Sequence, residues 1–432
     1  MHQLTIHKLG PIQDCQLPIR QYTVLTGYQA SGKSTIAKAV YFFRSLQEDL
    51  FRLILRRGLL GEQQGYGDPD GNRTARTLTG AFQSHVRNKF LSTFGTSFCM
   101  EQGMRLHYRY GEGVEVTVRL KRIENHLTPN FVWVEYSQSI RAFLQSHEGV
   151  RDQQTLRKEL AELFRDPFET VYIPAGRSVL TVLGSQFNYF YSTMDDTQKR
   201  LLDTCTRDYL ERVMRLRPQF ADGVEGLLAG TMVTAAQGEL YQQALALIEQ
   251  ILRGRYTAAD GEERIWVDKE RYVKINFASS GQQEIVWILN LLFYYLIQQR
   301  PVFFLVEEPE SHLFPASQKA VVELLALVAN AGHGVLMTTH SPYVLGAVNN
   351  LLYAGTVGRE HGPEAGQIVP PGEWIDSSAC EARFVEKGGA EDCMDRELMQ
   401  IDNARLDQIS RSINEEYDAL FAVEERGMGP CR

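Results

Sequence analysis

Two short stretches of the chain combine residue types that could act on a phosphorylated ligand. Gly27-Tyr28-Gln29-Ala30-Ser31-Gly32-Lys33-Ser34-Thr35 fits the pattern G-x-x-x-x-G-K-[ST]. Glycines at its ends let the backbone wrap around phosphates, and successive N–H groups converge at a helix N-terminus. Lys33 would reach the β- and γ-phosphates, and the Ser34 hydroxyl would bind magnesium. The second stretch is Glu307-Glu308-Pro309-Glu310, directly after the apolar run Val302–Val306. A buried strand that delivers acids at its C-terminal edge suits metal binding and water activation. Glu307 is expected to hold the magnesium through water and Glu308 to orient and polarise an attacking water. Glu307 stands where most enzymes with such loops carry Asp, so its carboxylate reaches one methylene further. The expected cofactors are ATP and Mg2+.

A third segment, Ala278–Glu284, places small residues before an apolar helical run. Helix N-termini offer unpaired N–H groups and a favourable dipole to anions. Ser279-Ser280-Gly281-Gln282 resembles the signature sequence of ABC-type ATPases, which binds the γ-phosphate of nucleotide held by a second subunit. That resemblance implies a D-loop at Ser311-His312-Leu313. It also implies a switch histidine at His340, within Met-Thr-Thr-His-Ser-Pro, acting as a γ-phosphate sensor. Glu-Glu-Pro-Glu-Ser-His-Leu-Phe-Pro at 307–315 and Tyr-Ile-Pro-Ala-Gly-Arg at 172–177, with Ser-Ser-Gly-Gln-Gln-Glu at 279–284, are similar to the OLD-like (overcoming lysogenization defect) ATPases. These are soluble bacterial relatives of SMC and DNA-repair heads. Arg177 is a candidate for nucleotide or partner contact, with a structural salt bridge as the alternative.

The elements that must carry these residues are readable in outline. Tyr22–Gly27 reads as a short buried strand entering the glycine loop, and from Gly32 to about Arg57 the apolar residues fall at helical spacing. Leu4–Leu9 and Cys15–Ile19 alternate around a Gly10-Pro11 turn, and Val114–Leu120 and Phe131–Tyr136 alternate likewise. Gly58–Arg76 reads as a loop, Gln153–Phe164 as a helix and Val171–Gly176 as a strand. A helical lobe is expected from about Phe187 to Arg253, then a hairpin at Glu263–Phe277. A helix at Gly281–Gln299, a strand at Val302–Val306, a helix at Ala316–Ala331 and a strand at Val335–Thr339 complete the alternation, with a last helix near Asn403–Ala422.

The fold class that follows is α/β. The resemblance implies an ABC-type P-loop NTPase head, a mixed sheet flanked by helices, with a central, mostly helical insertion lobe. Its parts would be 1–60 (N-terminal head with the loop), 61–260 (inserted β and helical lobe), 261–360 (C-terminal head) and 361–432 (C-terminal extension).

With 432 residues, 44% hydrophobic and 10% aromatic, the chain can bury an ordinary core. Its net charge of −8 argues against a generally basic nucleic-acid coat. Six cysteines without C-x-x-C spacing suit a reducing cytoplasm better than a disulfide frame. Ile285–Ile297 holds an Asn and falls short of the roughly twenty residues a membrane span needs, so a buried helix is expected and no membrane. Arg52, Arg56 and Arg57, with Lys199, Arg200, Arg207, Arg212, Arg215 and Arg217, could track DNA phosphates. The interspersed Asp195, Asp196, Asp203, Asp208 and Glu211 favour solvated helices instead.

OLD proteins carry a Toprim nuclease, which needs an Asp-x-Asp pair, and no such pair follows His340. The resemblance therefore points to stand-alone ATPases of two-gene anti-phage systems of the Septu or PARIS kind. It implies a homodimer or higher homo-oligomer that controls a nuclease or toxin effector. An SMC-like repair ATPase clamping DNA directly is the alternative.

Overall fold

A computed structural model describes residues 1–60, 77–95, 100–122, 130–146, 152–178, 181, 192–195, 202–402 and 404–427. The loop expected at 61–76, the start of the helical lobe near Phe187, and Asp196, Lys199 and Arg200 lie outside the described residues. The elements in chain order open with strands β1 (His2–Leu9), β2 (Ile12–Ile19) and β3 (Tyr22–Thr26) and helices α1 (Lys33–Arg44), α2 (Leu46–Leu60) and α3 (Leu78–Phe94). Then come β4 (Arg105–Gly111), β5 (Val114–Arg122), β6 (Asn130–Tyr136), α4 (Gln138–Ser146), α5 (Gln153–Phe164) and β7 (Glu169–Ile173). The middle continues with α6 (Thr204–Leu216), α7 (Gly223–Ala229), α8 (Ala235–Leu252), β8 (Arg255–Ala259), β9 (Glu262–Trp266) and β10 (Tyr272–Lys274). The last third holds α9 (Ser280–Gln298), β11 (Val302–Glu307), α10 (Pro315–Asn330), β12 (Gly334–Thr338), α11 (Pro342–Val357), α12 (Gly362–Ile368), β13 (Cys380–Glu386), β14 (Gly389–Asp392) and α13 (Ala404–Gly427).

β3, β11 and β12 are mainly apolar because both faces of a central parallel sheet are covered, and every residue of the three, including the terminal Glu307, is buried. They lie in a six-stranded sheet of order β14-β13-β3-β12-β11-β7, in which only β14 runs antiparallel. Alternate residues face opposite ways. Phe304 and Val306 join the core beneath α6, α8, α9, α10 and α11. Phe303 and Leu305 join α1, α2 and α3 in a second core. That second core is closed by an antiparallel sheet of order β2-β1-β4-β5-β6, so α1 lies between two sheets.

The structure departs from the sequence reading in three places. The helical run after Gly32 breaks into α1 and α2 at Ser45, whose hydroxyl bonds back to the Tyr41 carbonyl at 2.5 Å, a contact that bends helices. The expected hairpin is a three-stranded sheet, β10-β9-β8, and Ile275–Phe277 turns into a single 3-10 turn. Most consequentially, β7 and β13 flank the strands that carry the motifs, although they fall within 61–260 and 361–432. α9 is a core helix with fourteen of its nineteen residues buried. No helix among the described residues is long and apolar enough to cross a membrane.

Candidate functional site

Parallel strands bring their C-terminal ends to one edge, and in such sheets ligands bind there. Glu307 is in register with Thr338, Thr338 with Leu25, and Leu25 with Arg383. The loop after β3, the acids after β11, His340 after β12 and Pro174–Arg177 after β7 therefore leave the sheet together.

In the glycine loop, Gly27 (φ 136°), Ala30 (φ 59°) and Gly32 (φ 109°) adopt left-handed backbone. A Cβ on Gly27 would lie 2.3 Å from the Val385 carbonyl oxygen, so β13 closes against the loop and only glycine fits. Lys33 is buried and donates to the carbonyls of Gly27 (2.8 Å) and Tyr28 (2.7 Å). Burial lowers its pKa, while the charges of Glu308 and Glu310 oppose that fall. Tyr28, Gln29, Ala30 and Ser34 are exposed, and Ser31 and Thr35 half-buried. The first turn of α1 carries no side-chain cap and no acid, so its N–H groups remain available to an anion.

Glu308 sits at φ 42°, a left-handed conformation that costs a non-glycine residue energy. It is held there by its N–H, which donates to the Thr338 carbonyl at 3.0 Å. His340 Nδ1 lies 3.6 Å from its carboxylate. This polar contact lowers the Glu308 pKa and raises that of His340. Glu310, buried at 4% exposure, accepts the Thr339 hydroxyl at 2.5 Å and the His340 N–H at 3.1 Å. It thereby fixes the backbone that presents His340. Sequence reading gave Glu310 no role, although the third acid of Glu307-Glu308-Pro309-Glu310 was visible.

Arg177 resolves the alternative that its sequence left open. Its guanidinium is buried and donates to the carbonyls of Pro174 (2.8 Å), Glu284 (2.8 Å), Glu307 (2.7 Å) and Glu308 (2.9 Å). It is a tie between the end of β7, α9 and the acid loop. Ser279 caps α9 in a reciprocal pairing with Gln282, leaving Ser279 and Ser280 exposed. A Cβ on Gly281 would meet the His312 carbonyl oxygen at 2.6 Å, so this glycine lets α9 pack on the loop at Ser311–Leu313.

The donors fit a divalent cation. Glu307 is buried, with one carboxylate oxygen accepting the Ala175 N–H (3.2 Å) and the other lacking a hydrogen-bond partner. Buried Thr26 Oγ1 and Ser31 Oγ are also without partners. Buried polar atoms are seldom left unpaired, and oxygen donors of this kind suit magnesium. The phosphate loop, Glu307, Glu308 and His340 thus share one edge, whereas no hydrogen bond joins Ser279 or Ser280 to that loop among the described residues.

A twisted parallel sheet with a glycine-rich loop leading into a helix between two layers defines an α/β P-loop fold. The family model described as "AAA domain, putative AbiEii toxin, Type IV TA system" matches residues 22–346, and the chain belongs to that family. No curated protein matches the sequence. Similar solved structures include an Smc head bound to the C-winged helix domain of ScpA (13% identity, 80% of this chain and 90% of that one, TM-score 0.38). Others are the Pyrococcus furiosus Smc head domain with an extended coiled coil bound to the C-terminal domain of ScpA (10%, 96% and 100%, 0.38) and the SMC head domain from Thermotoga maritima (13%, 80% and 90%, 0.35). At this level the likeness carries no functional weight.

Proposed function

We propose that this protein is an ATP-binding and ATP-hydrolysing switch that closes head-to-head around nucleotide, each site formed by one phosphate loop and the signature serines of a second copy. The observation that carries this reading is the coupling of Lys33, Glu308 and His340 at one sheet edge, with Ser279 and Ser280 exposed. Lys33 and the N-terminal amides of α1 bind the β- and γ-phosphates. Glu308 orients water and takes up its proton, and His340 holds Glu308 ionised while facing the γ-phosphate. Bound magnesium at Ser34 and Glu307 would supply neutralisation of phosphate charge. Such chemistry rests on positioning and electrostatics.

The OLD-like motifs and the toxin–antitoxin wording of the family description support a role in which the switch restrains or releases a nuclease or toxin partner in the cytoplasm, as in anti-phage defence. The test is Glu308→Gln with ATP and magnesium, followed by light scattering and by capture of co-purifying proteins from the native host. A stable dimer that retains ATP, bound to a stoichiometric effector, is expected. A monomer with wild-type turnover would remove Glu308 from the reaction, and a homo-oligomer carrying only DNA would favour the DNA-clamp alternative.

A further inference from the structure

Two basic sets about 160 residues apart in sequence converge on one cleft. Arg52 of α2 and Arg212 and Arg215 of α6 line a cavity of about 720 Å3, joined there by Arg300, which precedes β11. This cavity lies against the N-terminal ends of β7 and β11, the opposite edge from the phosphate loop. Tyr41 and Arg44, at the far end of α1, border it. With a rise of about 1.5 Å per residue, α1 sets the two places roughly 18 Å apart.

Its walls hold charges that folding alone would not favour. Arg44 pairs with Asp166 at 2.8 Å and Lys89 with Asp49 at 2.5 Å, with both cations almost fully buried. Arg212 pairs with Glu169 at 2.5 Å. Buried ion pairs seldom improve on an apolar wall, and charges gathered around a cavity make it a candidate functional site. Arg44 Nε is buried without a hydrogen-bond partner. Arg215 and Arg300 are exposed at the cavity, and neither forms a salt bridge within 4 Å among the described residues, although the Arg215 charge also reaches Glu169. Seven cations face five acids across the lining, in a chain whose net charge is −8.

The shape limits what could enter. The volume falls within the roughly 300–1,000 Å3 of small-molecule sites. A second cavity of about 610 Å3 adjoins it, and three of the five residues they share are the acids Asp49, Asp208 and Glu211. A nucleic-acid strand threading both would run its phosphates along those acids, whereas a discrete ligand can keep its phosphates at Arg215 and Arg300, which only the larger cavity holds.

We propose that the larger cavity is a second anion site, taking a small phosphorylated ligand of nucleotide size. Arg215 and Arg300, both exposed at the cavity, grip its phosphates. The site is independent of the switch proposed above and can stand if that reading fails.

The test is calorimetric titration of the full chain carrying Lys33→Ala, with inorganic triphosphate and with ATP as probes. One equivalent is expected to bind. Tighter binding of ATP identifies a nucleotide site, and equal binding a site for phosphates alone. Adding Arg215→Glu and Arg300→Glu should weaken binding about a hundredfold, because each charge-assisted contact contributes roughly tenfold. If charge reversal abolishes the melting transition, Arg215→Gln with Arg300→Gln is titrated instead, with about a tenfold loss expected. Absence of binding to the Lys33→Ala chain, or affinity unchanged by the arginine substitutions, would overturn the proposal. So would a single-stranded oligonucleotide binding there in preference to both probes.

Discussion

Replacing Arg177 with Met would test whether the tie between α9 and the acid loop sustains both stability and turnover. Met fills much of the same space and offers no donor. The carbonyls of Pro174 and Glu307 would lose their guanidinium bonds, while the Glu308 carbonyl would keep the Ser311 N–H at 3.1 Å. The buried Glu284 carboxylate, 3.5 Å from the guanidinium, would be left without its cation. Removing one partner of a buried pair costs about 3–5 kcal/mol. Each carbonyl left unpaired adds about 1–3 kcal/mol, offset by no longer desolvating a guanidinium. A net loss of about 3–5 kcal/mol would lower Tm by roughly 6–10 °C at about 2 °C per kcal/mol for a large domain. Combining Arg177→Met with Glu284→Gln should recover part of that loss, since the stranded charge is gone. Scanning calorimetry reads the stability. ATP affinity and kcat, measured separately, read the positioning. Because the guanidinium holds the Glu308 carbonyl rather than the phosphate loop, kcat should fall while affinity stays near wild type. Unchanged melting, or weakened affinity with kcat intact, would refute the argument.

Gly281→Ala puts a methyl 2.6 Å from the His312 carbonyl oxygen and 3.3 Å from Leu313 Cδ2, so α9 must retreat. A loss of about 1–3 kcal/mol is expected by denaturant unfolding, with weakened ATP-dependent dimerisation; native stability would mean that the loop yields freely. His340→Ala removes the contact that keeps Glu308 below the ordinary 4.5, so the acid limb of the pH–kcat profile should move to higher pH. In the wild type that contact is complete between the lowered Glu308 pKa and the raised His340 pKa, and it fades as pH falls through the first or rises through the second. An unmoved acid limb in His340→Ala would show that another group sets the Glu308 charge.

The motifs of the candidate site were legible in the sequence because each is local. A loop of nine residues, a strand end with three acids and a helix N-terminus each carry their own signal. Their convergence follows from the parallel sheet. The edge of that sheet formed by β13 and β14 was not legible. β13 reads Cys-Glu-Ala-Arg-Phe-Val-Glu, with charges where a buried strand would be apolar. Glu381 is nonetheless fully buried, because Arg20 (3.2 Å) and Arg383 (2.8 Å) bond to its carboxylate from other positions. Arg383 lies on β13 itself, but Arg20, just before β3, comes from 361 residues away in the chain.

The same non-locality separates two kinds of residue in the candidate site. Lys33, Glu307, Glu308 and His340 would meet phosphate, metal or water, and their types and spacing announce them. Arg177, Glu310 and Gly281 would touch none of these. They bind backbone to backbone, through four carbonyls, a histidine N–H and a close approach to the His312 carbonyl. A sequence displays donors and acids, but it does not show which carbonyl waits for them. Substitutions that probe the reaction could therefore be chosen from the sequence. Those that probe how α9 is joined to Glu308 required the fold, and they separate a rigid binder from a switch. A rigid binder would lose only stability when Arg177 is replaced, whereas a switch would lose turnover as well.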